Sequence, residues 1–564
     1  MTDPLSTIST RTTPQTERAD RAQERNRAGG YTFVPDDLAR LRRFLAMGVE
    51  GGTFYAGEKE VAVESSTLVL NLVETKPADV LATVLDMSER GANVRQQPVM
   101  WTMAALAGSK DPEVRKAALD ALPRIARTGS HLFLFASYVE NFRGWGKGLR
   151  KAVARWYDDK DVDGLAYQIE KYRSRYGFTH RDMLLLGHVG SRQTLGLSKA
   201  DPIEMAYGED AATRLALYAH AAGKDVNVLT LPESSRVASA LAKAATEDDV
   251  VEVIGTSKRV SWEMVPSQWL GKSRVWEALL DTGNVPIGAL LRNLARLTAN
   301  GTLDPFGQDD RTARIIGRLR DPETLAKGRV HPMAVLLAAA TYAAGRSQRG
   351  DSTWSPIPNI NKALDAGFYA AFGSIEPDES KSVVLGLDVS GSMNGGSVGG
   401  LPLVPRDAAT ALALALGAQF PKHVGMAFTS KPGSNFWRNP DATTLTAVDF
   451  DRGRRVTDVV RETSQMQMGG TDCSLPVLWA MEKGLHVDAF VILTDNETWA
   501  GKMHPHQALR QYRERTGVPA RMVTVAMVNN ASTIADPSDP LMLDVVGLDS
   551  NVVSLVSDFI AGRV

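Results

Sequence analysis

From about Pro35 to Gly345 apolar side chains recur at helical spacing and almost never alternate as they would along a strand. The stretch Asp36-Asp37-Leu38-Ala-Arg-Leu41-Arg-Arg-Phe44-Leu45 shows it, and Ala78 to Met87 repeats it. Asp111-Pro112 predicts the start of a helix reaching about Arg127, with Val114, Ala117, Ala118, Ala121, Leu122 and Ile125 on one face. Val285 to Ala299 and His331 to Ala344 read the same way. Short amphipathic helices joined by Gly, Pro or Asp turns predict stacked helical hairpins, a HEAT-like solenoid with repeats of about 40 residues. The sequence shows no strict period. A compact bundle is the alternative, but about 310 residues is long for one bundled core.

The pattern then changes. Arg346 to Pro358 is polar and broken by Gly350, Pro356 and Pro358, a last helix covers Asn361–Phe372, and Ile375 to Ser380 is an acidic linker. Beyond it, apolar strands alternate with helices. Strands are predicted at Ser382–Asp388, Gly425–Thr429, Ala489–Thr494 and Arg521–Met527. Helices are predicted near Asp407–Gln419, Thr457–Gln465, Ser474–Lys483, Pro505–Thr516 and Val553–Ile560. This alternation is that of a doubly wound α/β sheet. The expected organisation is therefore an arm over 1–28, a helical domain over 29–374 and an α/β domain over 375–564.

Two of the predicted strands end in carboxylates, Asp388 and Asp495, and the carboxyl ends of neighbouring parallel strands share one crevice. After Asp388 the chain turns through Val389-Ser390-Gly391-Ser392, and a second loop carries Gly470-Thr471-Asp472. Two carboxylates and three hydroxyls form a hard oxygen site suited to Mg²⁺ or Mn²⁺. The set Asp388, Ser390, Ser392, Thr471 and Asp495 resembles the metal-ion-dependent adhesion site of von Willebrand factor A-type domains. Ser, Thr and Asp also serve as helix caps and turn residues, so a purely structural use is the competing reading. Enzymatic readings fit less well. An aspartyl nucleophile of the phosphatase type wants a second Asp where Ser390 stands, a nucleophile elbow wants Gly at the positions of Asp388 and Ser390, and only one ligand set is present. A docking metal with an open position for a partner's carboxylate is expected instead.

Composition narrows the setting. The formal net charge of 564 residues is −1, so nucleic-acid affinity requires a local patch. The single cysteine, Cys473, excludes disulfides within the chain and points to a reducing, cytoplasmic compartment; a packed thiol is the expected role for it. No run is apolar enough for a membrane span. The first residues, polar and lacking an apolar core, are expected to be a disordered tail, or an arm that orders on a partner, rather than a signal peptide.

The patch is present. Asn141 to Arg181 holds ten cationic residues (Arg143, Lys147, Arg150, Lys151, Arg155, Lys160, Lys171, Arg173, Arg175 and Arg181) against five acids. Trp145, Trp156, Tyr167, Tyr172, Tyr176 and Phe178 are interleaved, and His180 and His188 complete the stretch. Cations bind phosphates and aromatic rings stack on unpaired bases. The alternative is a solvated helix face with its aromatics in the core.

Several longer stretches resemble one family in order along the chain. Gly51-Gly-Thr-Phe-Tyr55, Gly144-Trp-Gly-Lys-Gly-Leu-Arg-Lys-Ala152, Lys171-Tyr172 through Arg175, Thr179-His180 to His188, Leu291 to Asn300 and Arg329-Val-His-Pro332 look like the TROVE domain. Gly469 to Pro476 and Thr494 to Gly501 are similar to the metal domain of the same family, the Ro autoantigens, bacterial members included. The resemblance runs from about Gly29 to the C-terminus and is weakest between about Ser191 and Val260. It implies a monomeric ring of HEAT-like repeats closed by a von Willebrand A-type domain. It implies binding of Y or Y-like noncoding RNA outside the ring and of single-stranded 3′ ends of misfolded RNA in its hole, in RNA quality control or degradation. It also implies association with polynucleotide phosphorylase through the RNA; the lack of a nucleophile, a base and a second metal set separately predicts no enzymatic activity of the chain itself. Lys171, Arg175 and His188 match the family's RNA-contacting positions; Arg173, His180, Arg181, Lys147 and Arg150 are added from charge and proximity. A metal-dependent protein-docking module is the alternative function.

Overall fold

The computed structural model describes residues 12–50, 52–347, 351–373, 376–398, 401–431 and 442–563. The expected domain boundary at 374/375, Gly51 and residues 1–11 of the arm lie outside them. Helices fill the first part of the chain, and local chemistry sets their ends. Asp111 caps Pro112–Ile125 by accepting a hydrogen bond from the Glu113 amide, with Pro112 at the first turn. This helix buries Ala118, Leu119, Ala121, Leu122 and Ile125, whereas Ala117, expected inside, is exposed.

Each helix packs mainly on others close in sequence. Gln97–Gly108 lies against Pro112–Ile125 and Gly129–Val139, and Pro112–Ile125 against Lys147–Asp158, which in turn meets His180–Gly187. Glu233–Lys243, Glu247–Gly255 and Ser273–Asp281 continue the array, and Pro332–Ala343 packs on Pro358–Ala370. This nearest-neighbour packing is that of a solenoid. Among the described residues no helix is long and apolar enough to cross a membrane.

Two short hairpins interrupt the helices. β1 (Gln23–Arg25) pairs antiparallel with β2 (Tyr31–Phe33), and β3 (Ser174–Arg175) with β4 (Phe178–Thr179). The first hairpin corrects the expectation of a disordered arm over 1–28. From residue 12 onward the arm is packed on the C-terminal domain. Gln15 is fully buried, its side-chain amide donating to Asp472 Oδ1 at 2.7 Å, and β2 forms a bridge from Phe33 to Thr533. Composition marked the arm as polar, but its polar groups find their partners across hundreds of residues, which composition does not register.

The C-terminal domain holds a six-stranded sheet: β5 (Val383–Asp388), β6 (His423–Ser430), β7 (Thr443–Ala447), β8 (Ala489–Thr494), β9 (Arg521–Ala526) and β10 (Met542–Val546). The spatial order is β10-β9-β8-β5-β6-β7, parallel throughout except for β7, which runs antiparallel at one edge. The central strands β5 and β8 are buried at every residue, which is why they read as continuous apolar runs. The edges β7 and β10 were not expected from sequence, because half-buried, Thr- and Asp-containing strands carry a weaker pattern. A Cβ on Gly386 of β5 would lie 2.9 Å from Pro476, so glycine lets the helix Leu475–Glu482 press onto the sheet.

Both ends of the helical array meet this domain. The guanidinium of Arg43, on helix Asp37–Met47, is fully buried and grips both oxygens of Asp544 on β10 at 2.6 and 2.8 Å. At the other end, Tyr369 donates to the Arg454 carbonyl at 3.0 Å and Arg455 pairs with Asp365 at 2.7 Å. The chain therefore closes on itself through the α/β domain.

Candidate functional site

The sheet brings Asp388, Ser390, Ser392 and Asp495 together, and Thr471 lies on a loop tied to the segment after Asp495. β5 and β8 are adjacent and parallel, with Leu387 opposite Leu493, so Asp388 and Asp495 emerge side by side at their carboxyl ends. The topology changes direction there, since β5 lies between β6 and β8, and such switch points open a crevice. After Asp388 the chain enters a short 3₁₀ turn, Gly391–Asn394, which points the Ser390 and Ser392 hydroxyls the same way, 3.0 Å apart. Thr471 arrives on the loop before Leu475–Glu482, held by its carbonyl, which accepts from the amides of Trp499 and Ala500. Asp388, Ser390, Ser392, Thr471 and Asp495 are all buried.

Hydrogen bonds orient these groups. Asp388 accepts from the Ser390 amide at 2.8 Å on one oxygen and from the Thr494 hydroxyl at 2.6 Å on the other. Ser392 hydrogen-bonds to Asp495. Burial, and then the facing charge of Asp495, raises the Asp388 carboxyl to about 7; burial raises Asp495 too. Among the described residues neither carboxylate joins a salt bridge, and no group of three or more His, Cys, Asp or Glu side chains is placed to hold a metal ion by itself. Two buried carboxylates facing each other across hydroxyls leave an excess of negative charge that a hard divalent cation would offset. The donor set is all oxygen, so it fits Mg²⁺ or Mn²⁺, with Asp388, Ser390, Ser392, Thr471 and Asp495 as the holding side chains.

A surrounding layer was missed from sequence. Glu497 is buried, and burial followed by the charge of Asp495 lifts its carboxyl to about 7. Its oxygens accept from the backbone amide of Arg27 at 2.8 Å and from Asn530 at 3.0 Å. Between Asp495 and Glu497, Asn496 adopts a left-handed φ of 64°, a conformation that Asn tolerates better than most residues and that turns the chain sharply. The only signal in the sequence was the string Thr494-Asp-Asn-Glu-Thr itself, which sets a second acid two residues after Asp495. Cys473 is fully buried beside Thr494, and burial pushes its thiol well up, so it is a packed, protonated residue.

The cationic tract forms a second region on the helical array. Lys171 ends helix Val162–Lys171, with its ammonium over the rings of Tyr167 and Tyr172 at 5.3 and 5.4 Å. Arg175 stands at the end of β3, and the β3–β4 turn, Tyr176-Gly177, has φ of 54° and 79°, the doubly positive pattern of a tight hairpin. Arg173, Arg175, Tyr176, Arg181 and His188 are exposed, and Arg173 leans toward Glu170 at 3.5 Å. His188 caps helix His180–Gly187 in a left-handed conformation, φ 52°. Lys147, exposed, and Arg150, half-buried, lie on Lys147–Asp158, which packs against that helix.

His180 is a correction. It is 3% exposed, its Nδ1 is 2.7 Å from the Tyr157 hydroxyl, and it packs against Phe133 and Trp156. It holds the hairpin's base in the core and offers nothing to a ligand outside. Trp156 is buried as well and takes the Lys160 ammonium over its ring at 3.6 Å. Sequence proximity to cations did not separate inward from outward side chains at the first turn of a helix.

Comparison with known proteins adds the relationships. A TROVE domain model matches residues 24–236 and 254–341, and a Ro60 von Willebrand A domain model matches residues 382–560. The chain is 36% identical over 558 residues to the RNA-binding protein RO60 of Deinococcus radiodurans, covering 98% of each. It is 31% identical to the RNA-binding protein RO60 of Caenorhabditis elegans over 98% of this chain and 92% of that protein. The crystal structure of the Deinococcus radiodurans RO (RSR) protein superimposes with a TM-score of 0.66, at 33% identity, covering 94% of this chain and all of that one.

Proposed function

Because the chain belongs to the Ro family, a TROVE domain followed by a Ro60-type von Willebrand A domain, we propose that it is an RNA-binding scaffold and not an enzyme. The observation that carries the reading is the exposed group of Arg173, Arg175, Tyr176, Arg181 and His188 beside Lys171, in a chain whose whole net charge is only −1. Cations concentrated on one helical surface, with an aromatic ring at the hairpin tip, supply phosphate affinity and a stacking platform. In this reading Lys171, Arg175 and His188 contact a Y-like structured RNA, with Arg173, Arg181, Lys147 and Arg150 contributing charge. The single-stranded 3′ end of a misfolded RNA is the second ligand, handed to a nuclease such as polynucleotide phosphorylase tethered through RNA in the cytoplasm. The absence of catalysis is supported by chemistry: the thiol nearest the oxygen site is buried and protonated, and the site has one set of ligands. The oxygen site is read as holding Mg²⁺ or Mn²⁺ and docking a carboxylate.

The test is a salt titration of RNA binding. Lys171→Ala with Arg175→Ala is expected to weaken binding of a stem-loop RNA. It should make the slope of log affinity against log salt shallower by roughly 0.7 to 0.9 per residue. His188→Ala should lower affinity with less change in slope, because its ring is read as contacting a base by stacking or hydrogen bonding. Structured RNAs with a single-stranded 3′ tail should bind more tightly than blunt ones. Wild-type affinity and slope in the double variant, for every RNA tried, would place the RNA site elsewhere.

A further inference from the structure

The motif Gly51-Gly-Thr-Phe-Tyr55 lies in the helical domain, yet the residues around it are seated on the oxygen site of the other domain. The connection between helices Asp37–Met47 and Glu58–Thr75 crosses to the turn that carries the serine ligands. Ser397 donates to the Glu50 carbonyl at 2.9 Å, and Asn529 donates to the Gly48 carbonyl at 3.0 Å. A Cβ on Gly395 would lie 2.6 Å from the Phe54 ring, and one on Gly396 would lie 2.6 Å from the Gly52 carbonyl oxygen. Both positions therefore need glycine for the loop to sit this close. The loop itself is tight, with the Thr53 amide donating to the Ala56 carbonyl and the Thr53 hydroxyl accepting from the Ala56 amide. That turn fixes Tyr55, whose ring meets Phe54 edge-on at 5.0 Å.

The Tyr55 hydroxyl faces Ser392, and Asp495, Glu497 and Asp388 all act on it electrostatically. Asp388 and Asp495 enter the site from the strand ends, and Ser390 and Ser392 lie beside them. A phenol is a neutral, hard oxygen donor of the same kind as the serine hydroxyls.

We propose that Tyr55 is a further member of the oxygen site, contributed by the helical domain, and that its hydroxyl is the internal occupant of the face where an external carboxylate would dock. This rests on the reading of the site as a Mg²⁺ or Mn²⁺ centre. Docking a carboxylate then requires the Tyr55 hydroxyl to move aside. The loop belongs to the first helices of the array, so occupancy of the metal site is coupled to the seating of one domain on the other, and the coupling is reciprocal.

The experiment uses the full chain loaded with Mn²⁺, comparing wild type, Tyr55→Phe and Asp388→Ala. Water-proton relaxation reports the exchangeable water on the bound ion, and acetate titration reports access for a carboxylate. Tyr55→Phe keeps the ring against Phe54 and removes only the hydroxyl. The expected result is retained Mn²⁺ binding, faster water-proton relaxation and acetate affinity raised by about 5-fold or more, the lower end of typical site coupling. Mn²⁺ bound by wild type and lost in Asp388→Ala, with Tyr55→Phe matching wild type in relaxation and acetate affinity, overturns the role of Tyr55 and leaves the metal site standing. Mn²⁺ uptake that is absent from wild type, or unchanged in Asp388→Ala, overturns the metal reading and the role of Tyr55 with it.

Discussion

At His180, burial and protonation oppose each other. Its ring is enclosed by Phe133, Trp156 and Tyr157, and burial lowers its pKa from 6.5 to about 3. His131 and His506 are lowered in the same way, each to about 4. The unfolded chain takes up these protons first, so stability is complete above about pH 6.5 and is lost as pH falls toward the folded values. Each such group contributes about 1 kcal/mol of loss per pH unit in that window. His180→Gln, which keeps a polar partner for Tyr157, is expected to lower stability near pH 7 and to flatten the acid loss by about that amount per unit. Denaturant midpoints between pH 7 and 4 check this. An unchanged slope would assign the acid sensitivity to other groups. The same burial removes His180 from any RNA surface, whereas His188, eight positions on at an exposed helix end, keeps its ring free to meet one.

Among elements, the β1–β2 hairpin has the clearest mechanical role. Its backbone is a ligand to the layer around the oxygen site: the Arg27 and Ala28 amides donate to Glu497, and the Asn26 side chain donates to the Thr498 carbonyl at 2.7 Å. Gly30 permits this approach, because a Cβ there would lie 2.1 Å from the Thr498 carbonyl oxygen. That contact is with backbone, so it has no flexible end to yield. Gly30→Ala is expected to cost roughly 1–3 kcal/mol, the usual range for forced overpacking, and to free the arm. Limited proteolysis should then cut between residues 12 and 30 well before the rest of the chain, while wild type resists. Equal resistance of the two proteins would mean that the arm does not depend on this seat. The β3–β4 hairpin is the contrasting case, since its tip carries Arg175 and Tyr176 outward and its base is fixed by the core histidine.

At the scale of the molecule, Arg43 holds the first helices to the sheet edge. Its guanidinium donates to the carbonyls of Asn530 and Ser532 as well as to Asp544, whose side chain keeps 16% exposure. Removing one partner of a largely buried pair leaves the other charge uncompensated, at a typical cost of about 3 kcal/mol or more; the exposure of Asp544 puts this pair at the low end. Arg43→Met is therefore expected to increase hydrogen exchange in β10 and in Asp37–Met47 together. Arg43→Met combined with Asp544→Leu should recover part of the loss, because an apolar pair carries no stranded charge. Exchange confined to one of the two elements, or no recovery in the double variant, would show that the pair does not couple the domains. Such a closure is also the route by which Tyr55 reaches the oxygen site from another domain.

Helical spacing between Pro35 and Gly345 and the change to strand–helix alternation beyond it were legible because periodicity is local: a residue's neighbours three or two positions away report the face it buries. The oxygen site was legible for the same reason, since Asp388 and Asp495 each close an apolar strand and parallel neighbours must present those ends together. The weak edges β7 and β10, the packed arm, the inward turn of His180, and the presence of Glu497 and Tyr55 at the site were decided only by tertiary structure. Each depends on a partner far away in sequence: Gln15 on Asp472, His180 on Tyr157 and Phe133, Tyr55 on Ser392. A polar side chain has the same local signature whether it meets water or a buried acceptor, and only the closing of the chain on itself determines which of the two it finds.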